Sequence, residues 1–291
     1  MTPQNEPHSP SPWESMKWND VELMEFIAGY LGPQLRAYNE SIGIWVHDGQ
    51  KVEIPEDVIP YFVDQKVAKF VSGVAFHWYL SVSPTPGCPE ILCNGAYGQI
   101  DKMYEYLKRI GKDDEVFMMN TESCSGFNVI ESPPKRGVVL GDWLRGMQYA
   151  EDMIGDIQHG LSGWIDWNFI LDQNGGPNHA ENQCDAPIVV DLEKQKYYKQ
   201  PMYYFMAHIT RFVLRDSQRI GIVTDDGAVG DGKDGLWFTA VIDEKVMNNT
   251  VIVMMNTNRN TSIEVGIHDE RKGFMYLTLP PHSIQTMVYA N

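Results

Sequence analysis

Apolar and polar positions follow two different rhythms along this chain, and the change falls near residue 215. Ahead of it, short apolar runs of strand length alternate with stretches whose apolar residues recur at helical spacing. The runs are "GIWVHD", "SGVAFHWYL", "EVFMMNTE" and "SGWIDWNF". The helical stretches are "NDVELMEFIAGYLGP", "YGQIDKMYEYLKRIG", "LGDWLRGMQYAEDMIGDIQHG" and "QPMYYFMAHITRFVL". In the first of them Asn19 and Glu22 have capping-box spacing, and Gly32–Pro33 is expected to stop the helix. Continuous apolar strands separated by amphipathic helices predict a parallel sheet covered by helices.

Beyond residue 215 the turns come closer together. "RIGIVTDD", "GLWFTAVIDE", "TVIVMMNTN", "TSIEVGIHD", "MYLTLPP" and "SIQTMVYA" predict an antiparallel all-β module. Two architectures are thus expected, over residues 1–214 and 215–291.

Composition adds limits. The 291 residues suffice for one large or two moderate domains. No apolar run approaches the roughly 18 residues of a membrane span. The first twenty residues hold neither the basic nor the apolar region of a signal peptide. A net charge of −16 argues against nucleic acid as a partner, because no basic stripe would displace phosphate counterions. Sequons at Asn39, Asn248 and Asn260 would accept glycans only in a secretory protein. Cys88 and Cys93 are close enough in sequence to pair, whereas Cys124 and Cys184 are expected to be buried thiols. No Cys/His spacing marks a metal site.

Candidate chemistry sits where the apolar strands end. His77, Trp78 and Tyr79 close one strand, Asn120, Thr121 and Glu122 another, Asp166, Trp167 and Asn168 a third. In helix-wrapped barrels the carboxyl ends of the strands form the active face. Glu6, in "NEP", fits the same rule if "MTPQN" is the end of a strand. Two carboxyls with aromatic platforms suit glycoside hydrolysis, one delivering a proton and the other attacking or activating water. Each cluster alone has a plainer reading: a glutamate beside proline is mostly a loop residue, and "HWY" is mostly core.

Taken in order, "TPQNEP", "GVAFHWYL", "NTESCSG", "GWIDWNFILDQNGGPN", "DAPIVVD" and "YYKQPMYYFMAHITRF" resemble successive blocks of the glucosylceramidase (acid β-glucosidase) family. The resemblance runs nearly the whole length, through "DSQRIGIV" and the closing "PPHSIQTMVY". It implies part of a (β/α)8 TIM barrel, strands four to eight, followed by an antiparallel β-sandwich. It implies a retaining mechanism in which Glu6 is the acid/base and Glu122 the nucleophile, their carboxyls about 5–5.5 Å apart. Loss of the Glu122 charge on glycosylation would then let Glu6 serve first as acid and later as base.

By the same resemblance Asn5 binds the sugar 2-hydroxyl, Tyr79 hydrogen-bonds among the carboxylates, and His77 lies beneath them. Trp167 walls the glucose pocket and Asn182 binds the sugar from a loop. The implied substrate is glucosylceramide presented on a membrane lipid surface with a saposin-type activator, in a lysosomal or secretory parent protein, and no cofactor is needed. His179 stands where an aromatic residue is expected, and the segment 81–114 is restyled. Both departures bear on the aglycone more than on glucose.

The family's first three barrel strands have no counterpart ahead of "NEP". The expectation is therefore a truncated chain with open sheet edges, insoluble or inactive alone. The alternatives are a β-glycosidase of the same clan acting on another substrate, or a non-catalytic fragment.

Overall fold

The computed structural model describes residues 1–9, 11, 13–79, 95–126, 136–225, 227 and 230–291. Cys88 and Cys93, with their expected pairing, lie outside the described residues. The rest divides into two compact units, Met1–Val138 with His159–Ala186 and Val139–Gln158 with Pro187–Asn291. Compactness therefore groups residues 139–158 and 187–214 with the β module, whereas the sequence rhythm changes at 215.

The first unit is built on a parallel sheet in the order β1 (Ile44–Gln50), β2 (Val71–His77), β3 (Phe117–Ser123) and β4 (Trp164–Asp166). These are the four apolar runs of the sequence. Val46, Val74, Ala75, Phe76 and Met118 are all buried, as strands covered on both faces must be. The Trp45 ring lies over Gly73 of the neighbouring strand, so close that a Cβ on Gly73 would sit 2.4 Å from it.

Helices α1 (Asp20–Phe26), α2 (Gly32–Tyr38), α3 (Ile59–Val63), α4 (Gln65–Ala68) and α5 (Tyr97–Arg109) belong to this unit. The capping box is present as expected: Asn19 accepts from the Glu22 N–H and Glu22 from the Asn19 N–H. Gly32–Pro33 does not end the helix. The chain passes through a π turn, Ile27–Leu31, and continues to Tyr38. The wider turn directs the Gly32 N–H to the Ile27 carbonyl, and Pro33 falls in the first turn of α2, where its missing N–H costs nothing. Gly32 is needed for another reason, because the Phe70 ring would meet its Cβ at 2.5 Å.

"MTPQN" is not assigned as a strand, yet it runs beside β1. The Met1 ammonium donates to the Gly43 carbonyl at 2.8 Å, and the Trp45 N–H donates to the Met1 carbonyl at 2.9 Å. A third bond, from the Glu6 N–H to the Asp48 carbonyl at 2.9 Å, fixes Glu6 at the carboxyl end of β1. A short strand β5 (Ile170–Asp172) follows β4.

In the second unit, helices α6 (Trp143–Gln158) and α7 (Pro201–Thr210) pack where Gly146 admits the Phe205 ring. β6 (Ile188–Asp191) and β7 (Lys196–Lys199) pair antiparallel. β8 (Gln218–Arg219), β9 (Leu236–Asp243), β10 (Asn249–Asn256) and β13 (Ser283–Ala290) form an antiparallel sheet in the order 13-10-9-8. β11 (Ile263–Asp269) and β12 (Gly273–Leu279) form a second sheet. Phe238, Ala240, Ile252, Met254 and Leu279 fill the core between the two, with Val265 and Leu277 against them, which makes a β-sandwich. "RIGIVTDD" is mostly not a strand, since of its described residues only Arg219, at the end of β8, enters the ladder.

Candidate active site

All the side chains of the candidate site come from the first unit. β1 is irregular where it matters. Its register against β2 slips between His47 and Gly49, so Asp48 is an extra residue in the ladder. His47 and Asp48 have φ of 79° and 54°. Left-handed backbone at non-glycine residues costs on the order of 1–3 kcal/mol each and persists only where the surroundings impose it. A bulge of this kind re-aims a side chain that strict alternation would place elsewhere.

The re-aimed Asp48 carboxylate gathers three donors. Thr2 Oγ1 donates at 2.6 Å, Thr121 Oγ1 at 2.7 Å, and His77 Nε2 stands 3.2 Å away. The other nitrogen of His77, Nδ1, lies 3.0 Å from Glu6 Oε1. Gln50 Nε2 donates to that same oxygen at 2.8 Å. On the far side, His77 Nε2 is 3.9 Å from Glu122 Oε2, and the Tyr79 hydroxyl donates to Glu122 Oε1 at 2.7 Å. Across β2 and β3, His77 and Glu122 are paired in register. One buried imidazole therefore touches or faces three carboxyl groups.

The electrostatics follow. Burial alone would depress the His77 pKa, but its hydrogen bonds to Asp48 and Glu6 and the charges of Glu122 and Asp48 outweigh that and hold it up at about 9. The ring is then an imidazolium, donating from both nitrogens. Asp48 is the counterpart. Burial would raise it, yet the His77 hydrogen bond and charge, with the two threonine hydroxyls, keep it below the ordinary carboxylate range. Glu122 is raised by burial, a shift that the His77 charge and the Tyr79 hydrogen bond oppose and the Glu6 charge adds to. Tyr79 is driven well above its ordinary value by burial and by the neighbouring Cys124 and Glu122.

Of the residues singled out in the sequence, Glu6, His77, Tyr79 and Glu122 form this one cluster. Asn5 is exposed beside Glu6, with its carbonyl accepting from Gln4 Nε2 at 3.0 Å. The Trp167 N–H donates to the Ser123 carbonyl at 2.8 Å, which places Trp167 next to the Glu122 strand end, and its side chain is 40% exposed. Asn182 is tied into its loop by reciprocal bonds with Asn178, both at 2.8 Å. Among the described residues, Asn5, Trp167 and Asn182 make no hydrogen bond to Glu6 or Glu122. His179 pairs with Glu14 at 2.8 Å, both exposed.

Asp48, Gln50, Thr2 and Thr121 join the cluster without having been assigned a role in the sequence reading. For Asp48 the signal was available, since "GIWVHD" ends in polar residues as the other strands do. Cys124 and Cys184 are buried thiols, as expected. Among the described residues His8, Glu53 and Asp57 bring potential ligand atoms within 4.8 Å of one another. His8 is already paired there with Asp20 and Asp57.

A parallel barrel sheet that collects two glutamates at its strand ends, with a β-sandwich following, is a glycoside-hydrolase scaffold. The chain belongs to glycosyl hydrolase family 30, whose TIM-barrel domain model matches residues 1–213 and whose β-sandwich domain model matches residues 216–287. It is 32% identical over 296 residues to "Putative glucosylceramidase 3" of Caenorhabditis elegans, covering 99% of this chain and 51% of that protein. It is 28% identical over 294 residues to "Lysosomal acid glucosylceramidase" of Mus musculus, covering 99% of this chain and 51% of that protein. Among solved structures, SrfJ from Salmonella typhimurium superposes with a TM-score of 0.81 at 25% identity, covering 100% of this chain and 57% of that one. The chain thus spans about half the length of the curated relatives it matches.

Proposed function

We propose that this chain carries the carboxyl pair of a retaining β-glucosidase, acting on glucosylceramide or a close β-glucoside. The observation that supports it most is the placement of Glu6 and Glu122 against the same imidazole. In each carboxyl one oxygen is anchored and the other is left for chemistry. Tyr79 holds Glu122 Oε1, so Oε2 attacks the anomeric carbon. Gln50 and His77 hold Glu6 Oε1, so Oε2 carries the proton to the departing glycosidic oxygen. Water then enters, Glu6 takes its proton, and the glycosyl ester on Glu122 is hydrolysed with retention. The His77 charge favours the ionised form of Glu122 that attack requires.

Asn5 and Asn182 supply amides for sugar hydroxyls, and the exposed Trp167 supplies an apolar wall. The catalytic part ends near residue 214 and the sandwich begins at 215. Glucosylceramide implies delivery from a membrane surface with a saposin-type activator and a lysosomal parent protein. No helix among the described residues is long and apolar enough to cross a membrane. A second reading, a β-glycosidase with a more polar aglycone, draws on the exposed His179–Glu14 pair.

A 2-deoxy-2-fluoro-β-glucosyl substrate, which stalls at the covalent stage, tests the assignment by peptide mass spectrometry. A glucosyl adduct on Glu122 is expected, and an adduct on another residue would sink it. Turnover of glucosylceramide against aryl β-glucosides and xylosides separates the two substrate readings.

A further inference from the structure

Behind Tyr79 lies a second line of hydrogen bonds with no part in the proposed reaction. Cys124 Sγ and Cys184 Sγ are 3.8 Å apart, and both residues are buried in a small cluster with Leu171 and Ala186. The backbone holds them as neighbours, since the Asp185 N–H donates to the Ser125 carbonyl at 2.8 Å. Gly175 fixes the same segment, because a Cβ there would meet the Cys184 carbonyl at 2.3 Å. The line has two ends. The Cys184 thiol donates to the Asn182 carbonyl at 3.5 Å, and the Cys124 thiol donates to Cys184 Sγ. Tyr79, whose hydroxyl bonds Glu122, also lies 3.6 Å from Cys124 Sγ.

We propose that Cys124 and Cys184 are an oxidative modification site, a thiol pair that closes to a disulfide and thereby disturbs the Tyr79–Glu122 contact and the Asn182 loop together. A disulfide brings the sulfurs to about 2.05 Å, so one or both must leave their present positions. Closure also removes both S–H protons. The Asn182 carbonyl loses one of its donors and keeps Asn178 Nδ2, and Cys124 Sγ moves relative to the hydroxyl that positions Glu122.

The co-reactant is a two-electron oxidant of the peroxide class, or a small disulfide. With hydrogen peroxide, one thiolate attacks a peroxide oxygen, the O–O bond breaks, and a sulfenic acid forms with release of water. The second thiol attacks that sulfur and expels the second water. Two thiols and one peroxide give one disulfide and two waters. The hydrogen bond to Cys184, and then burial, push the Cys124 thiol well above its ordinary pKa, so reaction in the folded protein is slow. Closure during folding under oxidising conditions avoids that barrier.

The test uses the full chain with Cys88→Ser and Cys93→Ser, so that only this pair can link. It is treated with hydrogen peroxide, or refolded in oxidised glutathione, and digested without reduction. A Cys124–Cys184 linked peptide is expected, absent from a Cys184→Ala variant. Hydrogen exchange of the 117–126 segment should change on linkage and revert with reductant. The rate of 2-fluoroglucosyl labelling should fall about tenfold, the effect of one lost charge-assisted hydrogen bond. Only this last arm rests on the proposed function, since linkage and exchange are read without turnover. No linked peptide under either treatment overturns the proposal. So does a linked protein whose exchange and labelling match the reduced form.

Discussion

Asp48 Oδ1 stands 3.2 Å from His77 Nε2, and this contact sets the charge of the candidate site. Asp48→Asn keeps the size and removes the negative charge. The His77 pKa should then fall from about 9 toward its ordinary value. A histidine ring titration followed by NMR reads this directly, and an unmoved titration would show that Glu6 and Glu122 suffice.

The same raised pKa makes stability depend on pH. His77 binds its proton more tightly folded than unfolded, where its value is about 6.5. Its contribution is therefore fully present below about pH 6.5 and is lost as pH rises through about 9. The denaturant midpoint should decline across that window, and the decline should shrink in Asp48→Asn.

Replacing the two glutamates should give different signatures. Glu122→Gln should abolish the covalent adduct proposed for this residue. Glu6→Gln is expected to lose about 10²–10⁴-fold on a substrate with a poor leaving group, and much less on an activated aryl glucoside. Equal losses on both substrates would contradict Glu6 as the proton donor.

Tyr79→Phe removes a hydrogen bond to a charged group, worth about 1.5–3 kcal/mol. A loss in kcat/KM of roughly tenfold to a hundredfold should follow. Because the Tyr79 bond lowers the Glu122 pKa, its removal should also move the acid limb of the pH–rate profile to higher pH.

Gly73→Ala places a methyl group against the half-buried Trp45 ring. Over-packing of this kind costs about 1–3 kcal/mol, to be read as a lower denaturant midpoint with an unchanged m value.

Much of this was readable from the chain because strands buried on both faces need unbroken apolar runs, and those runs appeared where β1, β2 and β3 lie. The polar residues that end them, His77, Tyr79 and Glu122, followed from the same rule. Asp48 was missed because a bulge has no period, so the polar end of "GIWVHD" did not show that its carboxylate is turned toward His77. The Gly32–Pro33 stop failed because breakers act on a regular α-helix, and a π turn had already altered the hydrogen bonding. "RIGIVTDD" has the composition of a strand, but strand formation needs a partner, and of its residues only Arg219 is paired in the β8–β9 ladder.

The doubled residue in β1 sets folding and chemistry against each other. Deleting either His47 or Asp48 would let the ladder with β2 run without a slip and would relieve one left-handed residue. Such a shortened strand would gain regularity while losing the carboxylate, or the aim, that keeps the His77 ring charged. Selection for a sturdier protein and selection for an active one would pull this single position in opposite directions.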